Sequence, residues 1–238
     1  MPGSLKTEAV VLRSMRYGEA DRILHLYTPE RGRLSAIAKG VRRAKTRFGG
    51  RLEPCFRLQM VLHEGRSDLL TVTSAETVAG HARLREHAGA LDGAARACDA
   101  VGRLFADGEP HRGVFNLLCN QLALLDAQPE RATRGNALAF RLKLLLAAGF
   151  APQLAACAGC GETEHLVGFS GAAGGVVCSA CEASAFALGQ DAHDFLVAAL
   201  GRPLAEAPDA PAAALAQAER AILATLEHHA HLRLRPVV

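Results

Sequence analysis

The chain has no apolar run of roughly 18 residues, the length needed to cross a bilayer. Its first residues, MPGSLKTEAVVLRS, carry neither the hydrophobic stretch nor the small-residue cleavage site of a secretory signal. A cytoplasmic protein without membrane attachment is expected. The G-x-x-x-x-G-K-S/T phosphate loop, the H-E-x-x-H zinc-hydrolase pattern and the nucleophile elbow are all missing. Histidines do not fill that gap: His228, His229 and His231 have no cysteine at ligand spacing, and His25, His63, His81 and His87 are scattered. Catalysis is not expected. Aromatic residues make up only 5% of the chain and tryptophan is absent, so base stacking can add little to any nucleic-acid affinity and charge must supply most of it. No internal repeat is evident.

What is present is unevenly distributed. The net charge of +3 is modest, but residues 1–51 hold twelve Lys or Arg against four Asp or Glu, while the remainder holds 15 against 20. A first segment of net +8 on a body of net −5 suggests a polyanionic partner. With 238 residues and 50% hydrophobic side chains, the chain is long and apolar enough for one large domain or two to three modest ones.

Seven cysteines are an awkward number for a disulfide framework, which would leave one thiol over. Four of them stand as Cys157-x2-Cys160-x17-Cys178-x2-Cys181, and each C-x2-C pair places two sulfurs on one tight knuckle of a tetrahedral metal site. Gly159 and Gly161 flank Cys160, Gly174 and Gly175 precede the second knuckle, and the spacer GETEHLVGFSGAAGGVV suffices for a strand and its return. An all-cysteine set leaves no open coordination position, so one structural Zn2+ is expected; an iron–sulfur centre and a thioredoxin-like dithiol are the alternatives. No Lys or Arg lies between Cys157 and Cys181, so this element is a fold-stabilising clip rather than a phosphate grip. Cys55, Cys98 and Cys119 lie in apolar surroundings and read as small buried residues.

Period-two alternation predicts strands over Glu8 to Met15, Ile23 to Thr28, Arg33 to Lys39, Phe56 to His63 and Leu69 to Ser74, the last two joined through EGRSD. Five short antiparallel strands suit an oligonucleotide-binding barrel, with an SH3-like barrel the competitor on strand count. Helical spacing takes over across 76–106, with Gly89 and Gly93 as weak points, and continues in Val114 to Leu125, Arg134 to Ala148, Asp191 to Leu200 and Ala212 to Leu232. Gly149 and Pro152 end the Arg134 helix. The expected class is α+β: a five-stranded oligonucleotide-binding (OB) barrel over 1–78, then a helical domain over 79–238 with the zinc element at 154–185.

The basic segment holds Arg13, Arg16, Arg22, Arg31, Arg33, Lys39, Arg42, Arg43, Lys45, Arg47 and Arg51. From Lys39 to Arg51 there are six cationic residues in 13 positions with Gly49 and Gly50 near the end, as expected of a loop between barrel strands that meets successive phosphates without committing to a base sequence. Of Tyr17, Tyr27, Phe48 and Phe56, at least two should be core. Phe48 is the best-placed to lie against a base, and a tucked anchor is its competing role. Glu19 and Asp21 cap or pair within a hairpin, being too few for a metal nuclease. A sequence-specific transcription factor would need these cations on a recognition helix, and they lie on strands and a loop. An RNA-binding or ribosome-associated barrel is chemically close, because phosphates alone do not separate DNA from RNA.

Gly18-Glu19-Ala20-Asp21-Arg22-Ile23-Leu24-His25-Leu26-Tyr27-Thr28, Gly32, Ala38-Lys39-Gly40-Val41-Arg42-Arg43, Leu145-Leu146-Ala147-Ala148-Gly149-Phe150-Ala151-Pro152 and the four cysteines together resemble the bacterial recombination mediator family RecO. The order and spacing of these landmarks span most of the chain. The resemblance implies an OB barrel, a helical domain and a zinc element. It implies a non-enzymatic protein that binds single- and double-stranded DNA without sequence specificity and anneals complementary strands. With RecR, such a protein helps load RecA onto DNA coated by single-strand-binding protein, whose acidic C-terminal tail it contacts, and it works at the nucleoid. Carried onto this chain, DNA binding falls on Arg13, Arg16, Arg22, Arg33, Lys39, Arg42, Arg43, Lys45 and Arg47, and zinc on Cys157, Cys160, Cys178 and Cys181. Arg134, Arg141 and Lys143, around the apolar helix 138–146, offer a basic rim for the tail, against an ordinary role as solvated helix residues.

Overall fold

The computed structural model describes residues 3–43, 46–65 and 69–237. The chain divides into two compact units, Met1–Pro129 and Glu130–Val238. It is a mixed α+β protein, with a strand-rich first unit and a helical second unit that carries the four cysteines.

In the first unit, β1 (Ser4–Tyr17), β2 (Asp21–Thr28), β3 (Gly32–Ala38), β4 (Arg57–His63) and β5 (Leu70–Ala79) form a closed barrel in the order β1-β2-β3-β5-β4. The length of β1 makes closure workable. Its first half pairs antiparallel with β4, from Ser4 opposite His63 to Val10 opposite Arg57, and its second half with β2, from Val10 opposite Tyr27 to Tyr17 opposite Asp21. A register shift between Val11 and Arg13 bends the strand at the changeover. The ring shuts through a short parallel contact, Ala36 opposite Leu70 and Ile37 opposite Thr71. Alternation then sends one face inward: Leu24 and Leu26 from β2, Ala36 and Ala38 from β3, Leu58, Met60 and Leu62 from β4. Phe48 and Leu52, from the stretch between β3 and β4, complete that core. Burial of such a side chain contributes about 1.5–3 kcal/mol, so the basic stretch is pinned to the barrel at two points.

Strand β5 runs on to Ala79, past the Ser74 end that alternation suggests, and the helical part begins later, with α1 (Ala82–Glu86), α2 (Ala88–Leu104) and α3 (Arg112–Ala127). The break between the first two falls at His87, which is extended at φ −121°, rather than at Gly89 or Gly93. Both glycines are accommodated inside α2. The buried stripe of α2 is made of small residues, Ala90, Ala94, Ala97, Cys98 and Val101, which lets it lie close to β1 and α3. These three helices therefore pack with the barrel in the first unit.

In the second unit, α4 (Arg134–Ala147), α5 (Gln190–Gly201) and α6 (Ala212–His229) pack together, and β6 (Leu166–Ser170), β7 (Gly175–Cys178) and β8 (Phe186–Ala187) form a sheet in the order β7-β6-β8. Thr133 caps α4, its hydroxyl accepting from the Asn136 N–H at 3.1 Å. Gly149, at φ +80°, ends it: its N–H donates to the Leu146 carbonyl at 3.1 Å and the Phe150 N–H to that of Leu145 at 2.8 Å. Buried charge sits at the centre of this unit. The carboxylate of Glu219, a residue 5% exposed, accepts from Arg134 Nη2 at 2.8 Å, from Arg141 Nη1 at 3.4 Å and from the Val237 N–H. Such an ion group is tolerable only when its partners are all present.

Candidate nucleic-acid interface and metal centre

The cations of the barrel collect at one end because of strand register. Arg16 lies opposite Arg22, and Arg22 opposite Ala38, so the last residues of β1, the first of β2 and the last of β3 share one edge. Like charges facing each other across strands destabilise, and the structure relieves this pair: Arg22 donates to Ser14 Oγ at 2.9 Å and to Glu53 Oε1 at 3.0 Å. The segment after β3 then folds back over the β1–β2 turn. Gly40 N–H donates to Asp21 Oδ1 at 2.8 Å, Arg42 N–H to the Ala20 carbonyl at 3.0 Å, and the Arg42 guanidinium to the Glu19 carbonyl at 3.0 Å. Asp21 is thus the clasp that ties the basic stretch to the hairpin, in keeping with a capping acid.

Arg16, Lys39, Arg42 and Arg43 are all exposed along this edge. Arg47 is exposed too, with Nη2 3.4 Å from the Val72 carbonyl and its guanidinium 4.8 Å from the Phe48 ring. Phe48 itself is 1% exposed and belongs to the barrel core, which settles its two readings in favour of the anchor. Lys45 lies outside the described residues.

Arg33 is placed differently. Its Nε donates to Asp107 Oδ1 at 2.5 Å and its Nη1 to the Gly102 carbonyl, so it fastens β3 to the end of α2. Arg22 and Arg33 therefore face carboxylates of the protein itself. Asp107 is 74 residues along the chain from Arg33, and no local pattern announces such a partner. Arg13 is exposed on β1 beside a cavity of about 460 Å³ whose lining includes His25, Arg33, Cys98 and Arg103. Burial, with Arg13 and Arg33 nearby, lowers the pKa of His25 against a smaller opposing pull from Asp107. Its Nδ1 is 3.0 Å from Ser35 Oγ.

In the second unit, the sulfurs of Cys157, Cys160, Cys178 and Cys181 all lie within 4.8 Å of one another. Cys160 Sγ and Cys178 Sγ are 3.7 Å apart, close to the edge of about 3.8 Å that follows for a tetrahedron with metal–sulfur bonds of about 2.3 Å. The antiparallel return of β6 onto β7 brings the knuckles together, with Leu166 opposite Cys178. Gly159 lies close against the second knuckle, where a Cβ would stand 3.2 Å from Cys181 Sγ, tighter than ordinary contact. The Cys178 N–H donates to Cys157 Sγ at 3.3 Å, the main cause that draws the Cys157 thiol down to about 6. The donor set fits one soft or borderline metal ion, with no position open for chemistry. Cys55, Cys98 and Cys119 are buried as expected.

Of the three cations of α4, Arg141 is buried while Arg134 and Lys143 are partly exposed. Arg134 and Arg141 meet Glu219, Arg141 also donates to the Arg235 carbonyl, and Lys143 Nζ donates to the Leu200 carbonyl at 2.9 Å, its pKa lowered by burial. This geometry gives all three a role inside the unit. Among the described residues, no helix is long and apolar enough to cross a membrane.

Residues 1–81 match the family model described as "Recombination protein O N terminal", and residues 86–236 the one described as "Recombination protein O C terminal". Over 244 residues the chain is 40% identical to the DNA repair protein RecO of Anaeromyxobacter dehalogenans (strain 2CP-C), covering 97% of this chain and 93% of that one. It is 41% identical to the protein of the same name from Rubrobacter xylanophilus over 182 residues, 76% of this chain and 72% of that one. Against that of Myxococcus xanthus it is 38% identical over 175 residues, 73% and 71% of the two chains.

Proposed function

Because this chain belongs to the recombination protein O family, we propose that its barrel is an OB-type DNA-binding module that carries out the family's work, binding and annealing DNA strands as a recombination mediator in repair. That work is binding and annealing, not catalysis. Residues 1–78 form the DNA module in this reading. Residues 79–238 form the helical part, its first three helices lying in the unit of the barrel and the remainder stabilised by one structural Zn2+ on Cys157, Cys160, Cys178 and Cys181 within 154–185. The ion supplies a four-way cross-link to the folded state and takes no part in the reaction.

The observation that carries the reading is the clasped barrel edge, where Arg16 at the end of β1 and Lys39, Arg42 and Arg43 after β3 are exposed beside a hydrogen-bonded turn. Cations held by the backbone can meet phosphates of two strands, lower their mutual repulsion and leave base edges free to pair. Arg13 and Arg47, both exposed, extend this surface, and the DNA role of Lys45 in this reading rests on its place in the sequence alone. Arg22 and Arg33 serve it by positioning the strands that carry it. Family membership supports RecR, RecA and the acidic tail of single-strand-binding protein as partners, working at the nucleoid. The partners that Arg134, Arg141 and Lys143 have within the unit weigh against a tail site at those residues, and a fluorescent-tail titration with their charges reversed tests it: unchanged affinity removes the assignment.

The DNA reading is tested by fluorescence-detected oligonucleotide binding across a salt series, for the wild type and for Arg42→Ala/Arg43→Ala/Lys45→Ala, with RNA of matched sequence as competitor. Salt-sensitive, sequence-indifferent DNA binding that weakens in the variant supports it. Preferential loss to RNA competitor would favour an RNA-binding barrel instead.

A further inference from the structure

We propose that Tyr17 is a stacking platform for an unpaired base, which makes the clasped end of the barrel selective for single strands. The inference rests on the barrel being the DNA module. Residues 1–78 hold four aromatic side chains, Tyr17, Tyr27, Phe48 and Phe56, and three of them are occupied. Tyr27 and Phe48 are core at 0% and 1% exposure, and Phe56 is half-buried with the Arg85 guanidinium 4.5 Å from its ring centre. Tyr17 is 54% exposed at the last position of β1.

A single exposed apolar side chain is ordinary; its position is what matters. Tyr17 stands opposite Asp21, the residue whose carboxylate clasps Gly40, and next to Arg16, whose cross-strand partner is Arg22. Arg42 is bonded to Glu19 and Ala20 in the same turn. An exposed aromatic side chain therefore ends the same hydrogen-bonded hairpin that carries Arg16 and binds Arg42. Phosphate contacts to such cations are available to either form of DNA, but a base inside a duplex has both faces covered by its neighbours. Only an unpaired base can leave its stack for the ring, and sequence has little effect on that exchange because every base has a π-face.

The composition provides the probe. The chain has no tryptophan and two tyrosines, and Tyr27 is fully buried, so a change in tyrosine emission on binding reports Tyr17. The whole protein is titrated with oligothymidylate, with a blunt duplex and with inorganic polyphosphate, which has the charge without the bases. Oligothymidylate quenches the emission and polyphosphate does not. Tyr17→Ala, with an unchanged far-UV spectrum, binds oligothymidylate about five- to tenfold more weakly while its affinity for duplex and polyphosphate stays. Tyr17→Phe recovers the affinity lost in Tyr17→Ala but not the quench. Unchanged oligothymidylate affinity in Tyr17→Ala, or an equal loss on all three ligands, overturns the proposal. If Arg42→Ala/Arg43→Ala also leaves every affinity unchanged, the barrel-edge reading of DNA binding fails with it; if that variant weakens all three ligands, the loss is confined to the role of Tyr17.

Discussion

At the end of the barrel, Arg16, Lys39, Arg42 and Arg43 stand exposed on a turn clasped by Asp21, whereas in the second unit Arg134 and Arg141 converge on the buried carboxylate of Glu219 and Lys143 caps a helix carbonyl. The same residue types do opposite work. Outward, in high dielectric, a guanidinium gains little from the fold and remains available to a polyanion; inward, its charge has to be neutralised by a partner fixed in place. The difference comes from what surrounds the segment: a barrel end that leaves side chains in solvent, and a helix on which Arg134 and Arg141 share, at helical spacing, the face of the buried Leu138, Leu142 and Leu145. Binding and stability should therefore separate between the two units, and mutations can break that separation.

The largest effect should come from the metal. Chelation, or Cys178→Ser, should destabilise the second unit by on the order of 10 kcal/mol at most, since four-thiolate sites of this kind supply much of their region's folding free energy. Thermal denaturation paired with elemental analysis checks it, with zinc expected at one ion per chain and oligonucleotide binding by the barrel retained. Next is Glu219→Ala, which leaves two arginines facing each other without their carboxylate and should cost about 3–5 kcal/mol by urea denaturation, with DNA affinity unaltered.

The reverse dissociation is expected for Arg42→Ala/Arg43→Ala/Lys45→Ala. Stability should hold, while the slope of log affinity against log salt should flatten by about 2 units on single strands and about 3 on duplex if each cation meets one phosphate. The loss should be the same for all sequences.

The smallest effect concerns pH. His25 has its pKa lowered in the fold, first by burial and then by Arg13 and Arg33, so the unfolded chain takes up a proton that the native protein refuses as pH falls through the ordinary histidine value of 6.5. Its contribution is fully present above that value and is lost below it. Denaturation midpoints at pH 7.5 and 5.5 for wild type and His25→Gln should show a smaller acid loss in the variant.

The two units also differ in how much of them the sequence discloses. The cysteine spacing locates the candidate metal site, because each C-x2-C pair is local in sequence, and the structure brings all four sulfurs together. Strand positions in the barrel follow from alternation to within a few residues, except at β5, whose final residues Glu76 to Ala79 keep pairing with β4 although their sequence no longer alternates. The roles of individual cations are less legible. Nothing near Arg33 or Arg22 in sequence points to Asp107 or Glu53, nor does anything near Arg141 point to Glu219, because these partners arrive only when distant elements pack. Phe48 and Tyr17 show the same limit. Both are aromatics in a basic setting, and only the fold distinguishes a core anchor from an exposed ring.

Strand annealing tests the central claim most directly. Complementary oligonucleotides are mixed with wild type, with Arg42→Ala/Arg43→Ala/Lys45→Ala and with Glu219→Ala held well below its melting temperature. Annealing that slows severalfold in the barrel variant and proceeds normally in the Glu219 variant is the predicted result. Normal annealing by the barrel variant would contradict the account and move the DNA surface away from the clasped edge.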